Sequence, residues 1–139
     1  MLYFLYDYQR DIIKIGYTAK LYRRLYEHRY NREKRGLDPD ALHVMGVMPG
    51  TRDEEFAIVL MFREFEYRTS ERYDKYLEWF FPCVELTSFI DRFTVKWDGS
   101  DDFYTLRPKG GPNHYWAMTF EAIKNSFPCR ANARFFWCH

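Results

Sequence analysis

The first 36 residues contain two short β-type runs that are followed at once by a helical pattern. Residues 2–8 and 11–17 are rich in aromatic and β-branched side chains, with a polar break between them. Leu21 and Leu25 then lie four residues apart, which is the spacing of one helix face, and the pattern runs from about 20 to 35 before it stops at Gly36. Because the helix follows the hairpin directly, we expect side chains of the hairpin to lie within reach of that helix.

Further along the chain, the pattern predicts one more strand and two more helices. Residues 42–48 alternate loosely as a strand, and Thr51 with Glu54 forms a capping-box signature for a helix that runs to about Arg68. A short helix is predicted around 85–93. The order β-β-α-β-α over the first eighty residues indicates an α+β fold.

The net charge of +1 hides an uneven distribution. Residues 1–35 contain nine Lys and Arg against four Asp and Glu, whereas residues 36–139 contain twelve against sixteen. Few acidic residues oppose the basic ones on the predicted first helix, so a phosphate-binding track explains them better than a solvated face. The predicted nucleic-acid-binding residues are Lys20, Arg23, Arg29 and Arg32.

The cysteine content and the apolar run at the N-terminus give information on the cellular compartment of the protein. Three cysteines are too few and too scattered for a disulfide framework, which favours a reducing interior. The apolar run at residues 1–6 is too short for a signal peptide or a membrane span. We therefore expect a cytoplasmic protein that does not contact membranes.

Four polar side chains near the N-terminus are of the types that phosphodiester hydrolysis requires. Arg24 and His28 lie four residues apart and so share a helix face, and the hairpin brings Tyr3 and Lys14 within reach of it. Tyr and His can transfer protons, and Arg and Lys can hold a phosphate. The structural alternatives are a tyrosine packed in a sheet and two solvated residues on a basic helix.

A metal-assisted reaction also needs a carboxylate, and the predicted second helix supplies two at its start. Glu54 and Glu55 are the candidate ligands for Mg²⁺ or Mn²⁺. Glu54 has a structural alternative as the capping-box partner of Thr51, whereas the alternative for Glu55 is simple exposure.

These residues, taken together, resemble the GIY-YIG nuclease superfamily. More narrowly, the chain is similar to a phage and fungal branch with KIG and EWF motifs, which includes the meiotically up-regulated gene type. The resemblance covers residues 1 to about 82. The matching positions are Tyr3, Lys14-Ile15-Gly16, Arg24, His28 and Glu78-Trp79-Phe80.

The resemblance implies a small three-stranded antiparallel sheet flanked by helices in residues 1–82. Residues 83–139 would then be a C-terminal extension packed on that domain. It also implies roles for the site: Tyr3 would activate water with help from His28, and the metal ligand would be Glu55 or Glu54. Arg24 would be the catalytic arginine.

The sequence departs from the superfamily pattern at Lys14, which stands where the second motif has a tyrosine. A lysine there can still hold a phosphate, together with Arg24, as a point charge. The predicted function is a metal-dependent endonuclease that acts on DNA, with RNA left open. The alternative is a nucleic-acid-binding module of the same fold without turnover, and a third reading is a protein-interaction domain that uses its aromatic C-terminal tail.

Overall fold

A computed structural model describes residues 1–67 and 79–101 of the 139. Glu78 of the EWF motif and the aromatic tail lie outside the described residues, as does most of the C-terminal extension predicted over residues 83–139. The described residues form an α+β fold, as predicted.

The sheet has four antiparallel strands in the order β3-β1-β2-β4, one more strand than predicted. The additional strand, β4, has only two residues, which pair with Ile13 and Lys14. A run this short carries no periodicity, so the sequence predicts only that Trp79 and Phe80 pack. The strands are β1 at Leu2–Asp7, β2 at Ile12–Tyr17, β3 at Leu42–Met48 and β4 at Trp79–Phe80.

Within residues 1–67 and 79–101, three α-helices flank this sheet: α1 at Leu21–Lys34, α2 at Arg52–Met61 and α3 at Val84–Phe93. The predicted stop of α1 is confirmed, since Gly36 has a φ of 75°, a left-handed conformation that favours glycine. Among the described residues, none of the helices combines the length and apolar character needed to cross a bilayer.

Helix α2 begins with the predicted capping box but ends about seven residues earlier than the sequence indicates. Phe62, which is 2% exposed, is its C-cap, and a 3-10 turn follows at Arg63–Phe65. Glu66 then forms an isolated β-bridge with Phe80. The chain therefore leaves the helix to pair with β4, so a tertiary contact overrides local helix propensity.

The sheet separates two apolar clusters, because successive side chains of a strand point to opposite faces. One cluster packs under α2 and α3 and includes Leu2, Phe4, Ile13, Ile15, Ile58, Met61, Phe80, Leu86, Phe89 and Ile90. The other packs under α1 and consists of Tyr3, Leu5, Leu21, Leu25, Leu42 and Val47. Tyr3 therefore faces the basic helix α1.

A buried ion pair fixes the C-terminal half of α1 to the end of β1. The Arg32 guanidinium donates to both carboxylate oxygens of Asp7, which is fully buried, and its Nε donates to the carbonyl oxygen of Asp38 at 2.9 Å. The predicted nucleic-acid contact is wrong for Arg32, because its side chain is only 5% exposed and is already paired.

Candidate active site

The centre of the candidate site is a hydrogen bond between Tyr3 on β1 and His28 on α1. The phenol oxygen lies 3.1 Å from His28 Nε2, and the two ring centroids are 6.1 Å apart. Tyr3 is only 2% exposed, whereas His28 is half-buried, so the imidazole is the solvent-facing member of the pair. The structure thus brings together the two predicted proton-transfer residues.

Gly16 leaves the space that the Tyr3 ring occupies, and the sequence did not predict this role. Tyr3 is directly opposite Gly16 in the β1–β2 register. A Cβ on Gly16 would lie 2.2 Å from Tyr3 Cζ and 2.3 Å from its hydroxyl oxygen. The available signal was a glycine inside a strand, which often marks a close approach by another group.

Two residues that are predicted to hold the phosphate, Lys14 and Arg24, lie close enough to His28 for their charges to lower its pKa. Burial, followed by the positive charges of Lys14 and Arg24, lowers the pKa of His28 to about 3. The imidazole is therefore neutral near pH 7 and can accept a proton. Arg24 is 44% exposed and pairs with Glu27 at 3.2 Å, so its guanidinium is accessible from solvent.

Trp79 supports Lys14, a second role that the sequence did not predict. The two residues are register partners, and Lys14 Nζ lies 5.5 Å from the Trp79 ring centroid, within the range of a cation–π contact. Arg10 Cζ lies 5.1 Å from the same ring. The indole therefore holds Lys14 beside the site in addition to packing against the α1-side cluster.

The first turn of α2 approaches the same end of the sheet. The Arg52 guanidinium lies over the ring of Tyr17, 5.4 Å from its centroid. Tyr17 pairs with Leu2, and the next pair along the two strands is Tyr3 with Gly16. The start of α2 therefore lies at the same end of the sheet as the pair that carries the phenol, but against the opposite face, where Tyr17 packs with the cluster under α2 and α3.

Of the two candidate carboxylates in this turn, Glu55 is the better placed for a further role. Glu54 Oε1 accepts a hydrogen bond from the backbone N–H of Thr51, which completes the capping box. Glu55 is 8% exposed, so the alternative of simple exposure is wrong for it.

A comparison with known protein families identifies the domain. The model of the T5orf172 domain matches residues 1–93. The chain belongs to the T5orf172 domain family. This family is phage-associated and related to GIY-YIG and HNH-like nucleases, which points to a nuclease-like or DNA-binding function. The narrower branch with KIG and EWF motifs stays a prediction. No curated protein and no solved structure matches the chain.

The predicted nucleic-acid-binding residues of this T5orf172 domain fall into two groups. Lys20 and Arg23 are exposed on the first turn of α1 and just before it. Arg29 is half-buried, and its Nη2 donates to the carbonyl oxygen of Leu42 at 2.9 Å, which ties α1 to β3. Together with the burial of Arg32, this leaves Lys20 and Arg23 as the members of this predicted set that are open to solvent.

Proposed function

We propose that this T5orf172 domain is a metal-dependent endonuclease that hydrolyses phosphodiester bonds in DNA. The observation that carries the proposal is the 3.1 Å contact between the Tyr3 hydroxyl and His28, with Lys14 and Arg24 beside the imidazole. A phosphodiester needs a proton acceptor for the attacking water and cations for its oxygens. These four side chains supply both from three adjacent elements.

In this proposal, His28 is the group that takes the proton from water, and the buried Tyr3 orients it. The oxygen of water bonds to phosphorus as the bond to the leaving oxygen breaks, while Lys14 and Arg24 hold the phosphate oxygens. The leaving oxygen takes up a proton from solvent, and His28 releases its own. Burial is the largest cause of the low pKa of His28, and a bound phosphate offsets the further lowering by the positive charges of Lys14 and Arg24. The imidazole therefore becomes a stronger base when substrate is present.

Glu55 would hold the metal ion, with Glu54 as the neighbouring carboxylate. Within residues 1–67 and 79–101, no three His, Cys, Asp or Glu side chains come together as a metal site. Mg²⁺ tolerates this, because it is often bound by one or two carboxylates, waters and the substrate phosphate. The buried oxygen ligand at Glu55 fits Mg²⁺ or Mn²⁺. Such an ion would supply additional charge stabilisation at the scissile phosphate.

Nicking of supercoiled plasmid with Mg²⁺ or Mn²⁺ tests the proposal. We expect Arg24→Ala to lower the nicking rate by about 100-fold or more, because a transition-state cation is removed. Tyr3→Phe retains the buried ring but removes the hydroxyl that orients His28, so the nicking rate should fall. Arg63→Ala, which removes an exposed arginine from the 3-10 turn after α2, is the charge-matched control and should retain full activity. Wild-type activity in the Arg24→Ala protein would refute the assigned site.

The alternative is a DNA-binding module without turnover. The low exposure of Tyr3 favours it, since a 2% exposed phenol has little access to the water that the superfamily resemblance implies it would activate. Lys14 at the position of the second-motif tyrosine favours it as well. Salt-dependent DNA binding without nicking under either metal would select this alternative, and Arg24→Ala should then still weaken binding.

A further inference from the structure

Three large tyrosine rings lie exposed along α1, separate from the candidate active site. Tyr22 is 71% exposed, Tyr26 is 67% exposed and Tyr30 is 49% exposed. They occur at intervals of four residues and therefore follow one another along the helix. The rings of Tyr26 and Tyr30 are nearly parallel, with an interplanar angle of 10° and a centroid distance of 6.5 Å. We call these three residues the tyrosine ladder.

The charges around the tyrosine ladder are suited to a polyanion. Lys34 Nζ lies 4.6 Å from the Tyr30 ring centroid, so a positive charge marks the C-terminal end of the ladder. Arg23, with a side chain that is 75% exposed, follows Tyr22 directly at the other end. A protein partner that covered the rings with apolar side chains would have to bury these cations, whereas a nucleic acid would place phosphates on them.

The geometry of α1 relates the ladder to the candidate active site. With about 100° of rotation per residue, the ladder and the pair Arg24–His28 lie on opposite sides of the helix. Arg23 and Lys34 occupy the solvent-facing surface between them, together with Glu27, which pairs with Arg23 at 3.3 Å and with Arg24 at 3.2 Å. A strand that stacks on the ladder can therefore cross α1 over basic side chains and reach His28, across a helix about 10–12 Å wide.

We infer that α1 binds single-stranded or unpaired DNA, with bases stacked on the tyrosine ladder and the backbone crossing Arg23 and Lys34. This inference rests on the proposed function and narrows its substrate to DNA that is unpaired on one side of the cleaved bond. Bases in a duplex are stacked on each other and do not offer free faces, whereas bases of a single strand stack readily on aromatic side chains.

Equilibrium binding of fluorescein-labelled oligo(dT) and of a duplex of equal length tests this inference. With EDTA present, no cleavage interferes. We expect tighter binding of the single strand, and the double variant Tyr26→Ala/Tyr30→Ala should weaken it by about tenfold or more. Tyr26→Phe/Tyr30→Phe keeps both rings and should bind within about threefold of wild type. Because these side chains project into solvent, the variants should fold normally, which thermal melting checks.

The inference fails if the alanine double variant binds the single strand like wild type, or if the phenylalanine variant loses as much affinity as the alanine variant. It also fails if light scattering shows that the wild type is a dimer and the alanine variant is a monomer, because a second copy of the chain would then cover the tyrosine ladder. Cleavage is measured separately, in the plasmid assay. If the protein nicks DNA but binds it equally well without the ladder tyrosines, the proposed endonuclease function stands and this inference fails. If binding depends on the ladder but no nicking occurs, only the endonuclease function is refuted.

Discussion

Gly16 controls how much room the Tyr3 phenol has. We predict that Gly16→Ala displaces the Tyr3 ring, because the added Cβ would lie 2.2 Å from Tyr3 Cζ. Overpacking of this kind costs about 1–3 kcal/mol of unfolding free energy. The displaced Tyr3 hydroxyl should also lose its hydrogen bond to His28, and the variant should not nick DNA. Urea denaturation and the plasmid assay measure the two effects.

Gly36→Ala is the matched control for that substitution. No atom lies within 4 Å of a Cβ at Gly36, but its φ of +75° strains any other residue. The control should therefore lose some stability and keep its activity. Loss of activity in both variants would mean that destabilisation alone, and not the position of Tyr3, explains the effect at Gly16.

His28 should make stability pH-dependent in acid. The pKa of histidine in an unfolded chain is about 6.5, whereas that of His28 is lowered to about 3 by burial and by Lys14 and Arg24. Below pH 6.5 the unfolded chain binds this proton and the folded chain does not, so stability falls as pH decreases to about 3. In His28→Asn this part of the decline should be absent.

Chemical denaturation between pH 3 and pH 8 measures that difference. His43→Asn, which removes an exposed histidine from β3, is the control and should follow the wild-type curve. Parallel curves for wild type and His28→Asn would show that the imidazole is not held neutral by its surroundings.

The sequence predicted which residue types form the candidate site, but it did not predict which basic residues are exposed. Tyr3, Lys14, Arg24 and His28 share one region because the hairpin runs directly into α1, and this proximity could be inferred from spacing. The burial of Arg32 could not, because its partner Asp7 lies twenty-five residues away and nothing local distinguishes Arg32 from its basic neighbours.

The Asp7–Arg32 ion pair stabilises the packing of two secondary-structure elements, since it fixes α1 to the end of β1. Burial raises the pKa of Asp7, but hydrogen bonds from Arg10 and Arg32 outweigh burial and lower it. Asp7→Asn should cost about 3–5 kcal/mol of unfolding free energy, because it leaves the Arg32 guanidinium buried without its counter-charge. Asp40→Asn removes an exposed carboxylate from the 3-10 turn at Pro39–Ala41 and should leave stability unchanged.

Urea denaturation at pH 7 measures both variants. The Asp7 contribution should persist in wild type at pH above about 3.8, the ordinary pKa of this carboxyl, and be lost as the pH falls further. An Asp7→Asn protein as stable as Asp40→Asn would show that the ion pair does not hold α1 in place.

Elements with strong local signals were predicted closely, and those that depend on distant pairing were not. The strand at Leu2–Asp7 follows its aromatic and apolar composition, and the strand at Leu42–Met48 follows a loose alternation. The start of α2 follows its capping box. The end of α2 depends on pairing between residues 66–67 and 79–80, and β4 depends on its pairing with β2. Local propensity encodes neither pairing.

At the scale of the whole molecule, the open basic surface should make DNA binding depend strongly on salt. Lys20, Arg23, Lys34 and Arg35 are exposed on or beside α1, and Arg24 is partly exposed. Displacement of counterions by about four of these cations predicts a slope of about −3 for log K against log salt on single strands.

Arg23→Ala should reduce the magnitude of that slope by about one, because one phosphate contact is lost. Arg63→Ala is again the charge-matched control and should leave the slope unchanged. Equal slopes for Arg23→Ala and wild type would place the DNA elsewhere on the protein.

The contact between Tyr3 and Gly16 also limits how this domain can be engineered. The two residues are complementary in size, because the phenol ring occupies the volume that any side chain at position 16 would fill. Libraries that randomise one position alone will recover little besides the parental pair. Joint randomisation of both positions would sample smaller residues on β1 with larger ones on β2, and so offer a route to relocating the hydroxyl on this scaffold.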